Sequence, residues 1–252
     1  MKKIALFLSL IFVFTLAACA QQAPAAEPTP APQETGTAET ETAAEMIAGI
    51  VIEITDEGIL IENDAQGEVL ALIGEETVFE TTGDIAAGDY VYIDYDGQMT
   101  FSLPAQIGAS LVRMHKLEGD ISEVYAEENA VLLHNEETGD VFVRLPESWQ
   151  DAAIDFSHMT VYFDGVMTMS LPGQINAGLV IPGYSVQGAI SEIGEGYIVI
   201  GEGMEAIQIA HGEGMLPETA AVGAVVRVIY DGQMTRSIPA QITASEIVQI
   251  SR

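Results

Sequence analysis

Fifteen residues are spelled almost identically three times: DGQMTFSLPAQIGAS at Asp96–Ser110, DGVMTMSLPGQINAG at Asp164–Gly178 and DGQMTRSIPAQITAS at Asp231–Ser245. The copies lie 68 and 67 residues apart. That period exceeds the usual solenoid repeats and limits the chain to architectures in which one whole small unit is built three times. The alignment extends beyond the motif. Each copy opens with a glycine followed four positions later by a glutamate, in GIVIEI (Gly49–Ile54), GDISEV (Gly119–Val124) and GAISEI (Gly188–Ile193). A second run reads GILIEN, AVLLHN or YIVIGE, and a third reads EVLALI, DVFVRL or EAIQIA. A more variable connector follows, and then a strand that ends in the Asp-Gly.

Alternation in that last strand separates its two faces. Val91, Ile93 and Tyr95 match Met159, Val161 and Phe163, and then Val226, Val228 and Tyr230. All are apolar, so they form the core face. The opposite face reads Tyr90, Tyr92, Asp94, then His158, Thr160, Tyr162, then Val225, Arg227, Ile229. It varies as a solvent or contact face does. PESWQDAAI (Pro146–Ile154), with Pro and Glu at its start, is the one helix candidate. The order strand-strand-strand-helix-strand-strand predicts an all-β chain of three tandem five-stranded OB-like barrels, each with at most one short helix. Their ranges are 47–114, 115–182 and 183–252. Gly49, Gly119 and Gly188 suit a sharp bend in the first strand of each barrel. The repeated motif reads as a barrel corner: Gly supplies a positive φ, Asp caps the turn, and Pro marks the start of the last strand. Were it a ligand site instead, Gln106, Gln174 and Gln241 would be its natural polar contacts.

The N-terminal segment has a different texture. Lys2 and Lys3 precede an apolar run, Ile4–Leu16, which is too short for a comfortable membrane span and suits a signal peptide. LAAC (Leu16–Cys19) follows and resembles the lipobox of bacterial lipoproteins. The resemblance implies removal of residues 1–18 and acylation of Cys19. Cys19 is also the only cysteine, so no internal disulfide is available. Residues 19–46, rich in Pro, Ala, Thr and Glu, lack apolar periodicity and read as a disordered acidic tether. The string YDG…SIPAQITA is similar to a group of small secreted Gram-positive domains of unknown function. These carry an OB-like barrel and end in DG…S-Y-P-A-Q-x-x-A. The aromatic before proline is replaced here by Leu103, Leu171 and Ile238.

Chemistry-bearing patterns are sparse. Ser102, Ser170 and Ser237 recur, but none of His115, His134, His158 and His211 holds the same place in all three copies, so no catalytic residue is assigned. Glu53, Glu123 and Glu192 recur in register, but a glycosidase needs two carboxylates at a defined separation in a cleft and three equivalent small barrels offer no obvious one, so they read as edge or solvent residues. DYDGQ (Asp94–Gln98) and ENDAQGE (Glu62–Glu68) lack an EF-hand pattern, so no metal and no cofactor is expected. Trp149 reads as a barrel plug, with an aromatic binding platform as its alternative. Eight Lys and Arg face 38 Asp and Glu, a balance that argues against a nucleic-acid partner. The expected role is that of a non-enzymatic binding or adaptor module. It would be lipid-anchored through Cys19 on the extracytoplasmic face of the cell membrane and would hold an envelope protein, peptide or glycan. A structural stalk is the alternative, followed by an unrecognised hydrolase.

Overall fold

The structure is a computed structural model that describes residues 44–150 and 152–251. The expected signal peptide, Cys19 and the tether up to residue 43 lie outside the described residues. Fourteen strands follow in order. The first five are β1 (Glu45–Ile54), β2 (Gly58–Asn63), β3 (Gly67–Thr81), β4 (Tyr90–Tyr95) and β5 (Ala105–Tyr125). Next come β6 (Ala130–Asn135), β7 (Gly139–Arg144), β8 (His158–Phe163) and β9 (Gly173–Pro182). The last five are β10 (Tyr184–Gly194), β11 (Tyr197–Ile200), β12 (Ile207–Ala210), β13 (Val225–Tyr230) and β14 (Ala240–Gln249).

Strand pairing closes three barrels of the same design. In the first the order around the barrel is β1-β2-β3-β5-β4, with β4 returning to β1. The second runs β5-β6-β7-β9-β8 and the third β10-β11-β12-β14-β13. In each, the third and fifth strands are parallel and the other neighbours antiparallel. This is the five-stranded Greek-key closure of the OB-like barrel. The first two barrels share a strand. β5 closes barrel one with Ala105–Met114 against β3 and opens barrel two with His115–Asp120 against β8. Barrels two and three are separated by Gly183 alone, at φ +71.

Each barrel has its own core, and the faces follow the alternation. Val91 and Ile93 are buried in the first, Met159 and Val161 in the second, and Val226 and Val228 in the third. The first strand of every barrel carries one extra residue just before the recurrent glutamate. Register slips between Val51 and Glu53, Ile121 and Glu123, and Ile190 and Glu192. Such a bulge bends and twists the strand so that the sheet can close. Glycine adds room for the bend in two copies. A Cβ at Gly49 would lie 2.4 Å from the Glu62 carbonyl oxygen, and one at Gly119 would lie 2.3 Å from that of His134. At Gly188 the nearest atom is 3.6 Å away, so the third copy does not need its glycine for closeness.

Two expectations change. Pro146–Ile154 forms no α-helix; only a 3-10 turn, Glu147–Trp149, is present, and Gln150 already has an extended ψ of 130. Trp149 and Phe156, seven residues apart, would share a helical face that leaves Ile154 out, yet all three pack on the second core. Second, Glu45 and Met46 belong to β1 rather than to the tether, and the Tyr95 hydroxyl donates to the Glu45 carboxylate at 3.0 Å. The variable face of the fourth strand, which the sequence left open between solvent and contact, is a contact face. Tyr92, His158, Thr160, Tyr162 and Arg227 are all buried.

These residues join the barrels around one short segment, Ala86–Asp89, in the connector before β4. The Tyr162 hydroxyl of barrel two donates to Asp89 Oδ1 at 2.8 Å, while Asp89 Oδ2 accepts the Ala86 N–H at 2.7 Å. From barrel three, Gln187 Nε2 donates to the Ala87 carbonyl at 2.8 Å and the Arg227 guanidinium donates to the Gly88 carbonyl. Burial pushes the Tyr162 phenol well up, and the neighbouring Asp89 carboxylate adds to it. Burial pulls the Arg227 guanidinium down, against the opposing pull of Tyr162 and Asp89. Beside this junction the His158 ring stacks on Tyr184 at 3.8 Å between centroids, bridging barrels two and three.

Candidate functional site

The repeated motif forms the loop between the fourth and fifth strand of each barrel, and the same bonds build it each time. Asp96 Oδ1 accepts the Gln98 N–H at 3.0 Å; Asp164 and Asp231 do the same for Val166 and Gln233 at 3.0 and 2.9 Å. The following glycines have φ of +80, +88 and +84 at Gly97, Gly165 and Gly232, the left-handed region that glycine enters freely. A hydroxyl chain then ties the loop. The Gln106 N–H donates to Thr100 Oγ1 at 2.8 Å, Thr100 lies 2.7 Å from Ser102 Oγ, and Ser102 Oγ donates to the Pro104 carbonyl at 2.7 Å. Because the serine proton goes to the carbonyl, the threonine hydroxyl is the donor between the two. Thr168, Ser170, Pro172 and Gln174 repeat the pattern, as do Thr235, Ser237, Pro239 and Gln241. The peptide bonds before Pro104, Pro172 and Pro239 are all cis.

The residues between these anchors point outward. Leu103 and Leu171 are 99% and 101% exposed, and Ile238 is 74% exposed. Two positions earlier stand Phe101 at 106% and Met169 at 105%, while barrel three has the exposed Arg236. Large apolar side chains are usually covered, so the same aliphatic position held fully out on three tied loops is a feature of the surface rather than of the core.

The second copy departs from the motif where another barrel touches it. Ser110 and Ser245 donate to the carbonyls of Asp94 and Ile229, each at 2.9 Å. Gly178 replaces them in barrel two, where a Cβ would meet the Tyr92 hydroxyl at 2.0 Å.

The other sequence candidates are scattered. Ser102, Ser170 and Ser237 bond within their own loops, and no histidine joins them. The amides of Gln106 and Gln174 are half-buried and that of Gln241 is exposed, and only their backbones enter the hydroxyl chain. Glu53 does line a cleft, of about 720 Å³, together with Glu62 and Glu68 and with Val225 and Gln249 of barrel three. All three carboxylates are exposed, whereas the acid of a glycosidase sits in a desolvated pocket. Glu123 and Glu192 accept the hydroxyls of Tyr125 and Tyr197, both at 2.7 Å. In the oxygen-rich segments Asp94 pairs with Arg113 at 2.5 Å, and Asn63 Oδ1 caps the β2–β3 turn through the Ala65 and Gln66 N–H groups. Trp149 meets Phe156 edge to face at 5.7 Å inside the second barrel's end, as a plug does. Among the described residues no cluster of three His, Asp or Glu side chains is placed to hold a metal ion.

Neither the outward tips nor the inter-barrel grip was read from the sequence. A signal existed for each. An aliphatic residue precedes the motif proline in every copy inside an otherwise polar turn, and Arg227 is the lone charge in the apolar strand VVRVIY.

No family model matches the chain, and no curated protein matches it. A crystal structure of a multidomain protein with nucleic acid binding domains from Streptococcus pneumoniae is similar over 79% of this chain and 73% of its own, at 12% identity and a TM-score of 0.21. A structure of Drosophila Unr CSD456 is similar over 83% of this chain and 99% of its own, at 13% identity and a TM-score of 0.18. The expectation that nucleic acid is excluded as a partner is corrected at this point. It rested on whole-chain charge alone, and the first of these structures carries nucleic acid binding domains. Net charge describes solubility and long-range attraction, not which face of a barrel binds what. Among the described residues no helix is long and apolar enough to cross a membrane.

Proposed function

We propose that the protein is a lipid-anchored, non-enzymatic adaptor of the bacterial cell envelope, held to the membrane through Cys19, and that its three motif loops engage a protein partner. The observation that carries this reading is the set of solvent-exposed aliphatic tips on loops tied by identical hydroxyl chains. Preorganised side chains of this kind lose little entropy on docking. Leu and Ile tips suit apolar pockets on a protein. Glycan recognition leans on flat aromatic faces, and Phe101 is the only aromatic among the six tip residues at 101, 103, 169, 171, 236 and 238. The unbroken β5 and the Ala86–Asp89 junction favour a second reading, a stalk that sets distance. A stalk has no use for the tips, so one experiment separates the two.

The L103S/L171S/I238S variant should melt within about a degree of the parent, since exposed substitutions rarely move stability by more than ~0.5 kcal/mol. It should retain an envelope partner at least tenfold less well in parallel affinity captures, because each buried aliphatic anchor contributes about 1.5–3 kcal/mol. Equal retention by both proteins supports the stalk and overturns the adaptor.

The anchor has its own test. Cys19→Ser should move the protein from the membrane to the soluble fraction or leave it unprocessed. A processed variant that stays in the membrane fraction overturns the lipoprotein reading.

A further inference from the structure

Barrels two and three close one end with their own connectors, and barrel one does not. That end is framed by the turn between the first and second strands and by the segment between the third and fourth. In barrel two, Trp149, Ile154 and Phe156 from that segment pack on the core; in barrel three, Met215, Leu216 and Ala220 do so. In barrel one only Ile85 reaches the core from the corresponding segment.

The reason lies in β3. After a slip between Ile73 and Val78 it resumes its parallel pairing with β5, from Val78 opposite Leu111 to Thr81 opposite Met114. Residues that would fold under the barrel are therefore used as strand. The remaining connector is pinned at both ends, by the Thr82 N–H on the Met114 carbonyl at 2.9 Å and by the grip on Ala86–Asp89. It cannot swing in to close the barrel without breaking one of these attachments.

A cleft of about 530 Å³ is left, within the roughly 300–1,000 Å³ range of ligand sites. Its apolar lining is Ile54, Ile59, Ile73, Phe79 and Ile85. Phe79 and Ile54 are each 48% exposed. Asp56 and Asp84 stand at the cleft, and Glu57 lies beside Asp56.

We propose that this cleft binds a peptide segment of a partner protein that carries an aromatic and an aliphatic side chain flanked by basic residues. The sister barrels supply the first half of the argument: the same barrel end is filled there by side chains of the chain itself, aliphatic in both and aromatic as well in barrel two. Charge complementarity supplies the second, since Asp56 and Asp84 at the cleft favour cations and disfavour an acidic segment. The proposal is independent of the lipid anchor and of the motif loops.

The test uses the full-length protein in detergent micelles and a fluorescein-labelled peptide with the sequence of Pro146–Phe156 carrying E147K, D151K and D155K, followed by anisotropy. Saturable binding is expected. It should weaken at least tenfold in Phe79→Ser, whose half-exposed parent side chain leaves the melting temperature nearly unchanged. Ile85→Trp, which fills the cleft from within, should also abolish it. The peptide with its native acidic residues should bind at least fivefold more weakly. Absence of saturable binding, or binding untouched by both variants, overturns the proposal. So does a cleft that takes the small aromatic dye anilinonaphthalene sulfonate in a Phe79-dependent way while ignoring the peptide, which marks a small-molecule site instead.

Discussion

Arg227→Met is expected to destabilise the protein by about 3 kcal/mol, at the lower end of the range for removing one member of a buried charged network. At ~2–4 °C per kcal/mol for a body of this size, the melting temperature should fall by about 10 °C. Arg227 is 6% exposed, its guanidinium donates to the Gly88 carbonyl, and the nearby buried Asp89 carboxylate favours its charge. Methionine keeps most of the volume but leaves that carbonyl without its donor and the carboxylate without its nearby cation. The loss stays near the lower bound because Asp89 retains two hydrogen bonds, from Tyr162 and from Ala86. The same substitution should loosen barrel three from the others, since only Gly183 separates β9 from β10. A calorimetric scan should then show an earlier, separate transition. Tyr162→Phe should cost about 1 kcal/mol alone, as loss of one hydrogen bond does. The two effects should be non-additive, because both groups act on Asp89. A loss below about 1 kcal/mol for Arg227→Met, or strict additivity with Tyr162→Phe, would show that the junction is a passive contact.

What the sequence disclosed, and what it withheld, follows from whether the cause of a feature is local. The three corners were legible because Asp-Gly, Thr-x-Ser and Pro fold against themselves, so their chemistry is contained in fifteen consecutive letters. The core faces were legible because period-two alternation survives in Val91 and Ile93, Met159 and Val161, Val226 and Val228. Tyr162 and Arg227 were not, because the group that buries them, Ala86–Asp89, comes from another copy. A varied face looks alike whether water or a neighbour covers it. The helix misreading has the opposite origin. Pro146 and Glu147 imitate a helix start, but Ile154 is drawn into the core together with Trp149 and Phe156, and a helical face through 149 and 156 would leave it out. The aliphatic tips at 103, 171 and 238 escaped notice although they are constant, because a constant apolar residue reads as a core position unless its exposure is seen. In the loop, the constant Asp, Gly, Thr, Ser and Pro build the support, while the aliphatic positions 103, 171 and 238 and the variable positions 101, 169 and 236 face outward. Glu53, read as a lone edge residue, stands in a cleft only because barrel three supplies the other wall.

The glycines of the three Asp-Gly turns offer a graded test of the support itself. Valine at Gly97, Gly165 or Gly232 must adopt a φ between +80 and +88, which costs about 1–3 kcal/mol for a side chain that avoids that region. This part should be common to all three. The neighbours then separate them. A Cβ at Gly97 meets only the Glu45 carboxyl group, at 3.3 Å, and the exposed Glu45 can turn aside at the cost of one hydrogen bond, from the Tyr95 hydroxyl. At Gly165 it would lie 2.6 Å from the His115 ring, which leans on Phe163, and at Gly232 it would lie 2.6 Å from the Tyr184 ring. Tyr184 cannot yield alone, because the His158 ring of barrel two is stacked on it. Gly97→Val should therefore cost about 1–2 kcal/mol, Gly165→Val more, and Gly232→Val most, at about 3 kcal/mol or above. Denaturant titration of the three variants reads the order directly. Equal losses would mean that φ alone sets the effect and that the packing of Tyr184 against the turn contributes nothing. If Gly232→Val also abolishes partner capture while Gly97→Val spares it, the third loop's tip depends on the stack between barrels two and three. The corner and the contact surface would then be one mechanical unit in that copy.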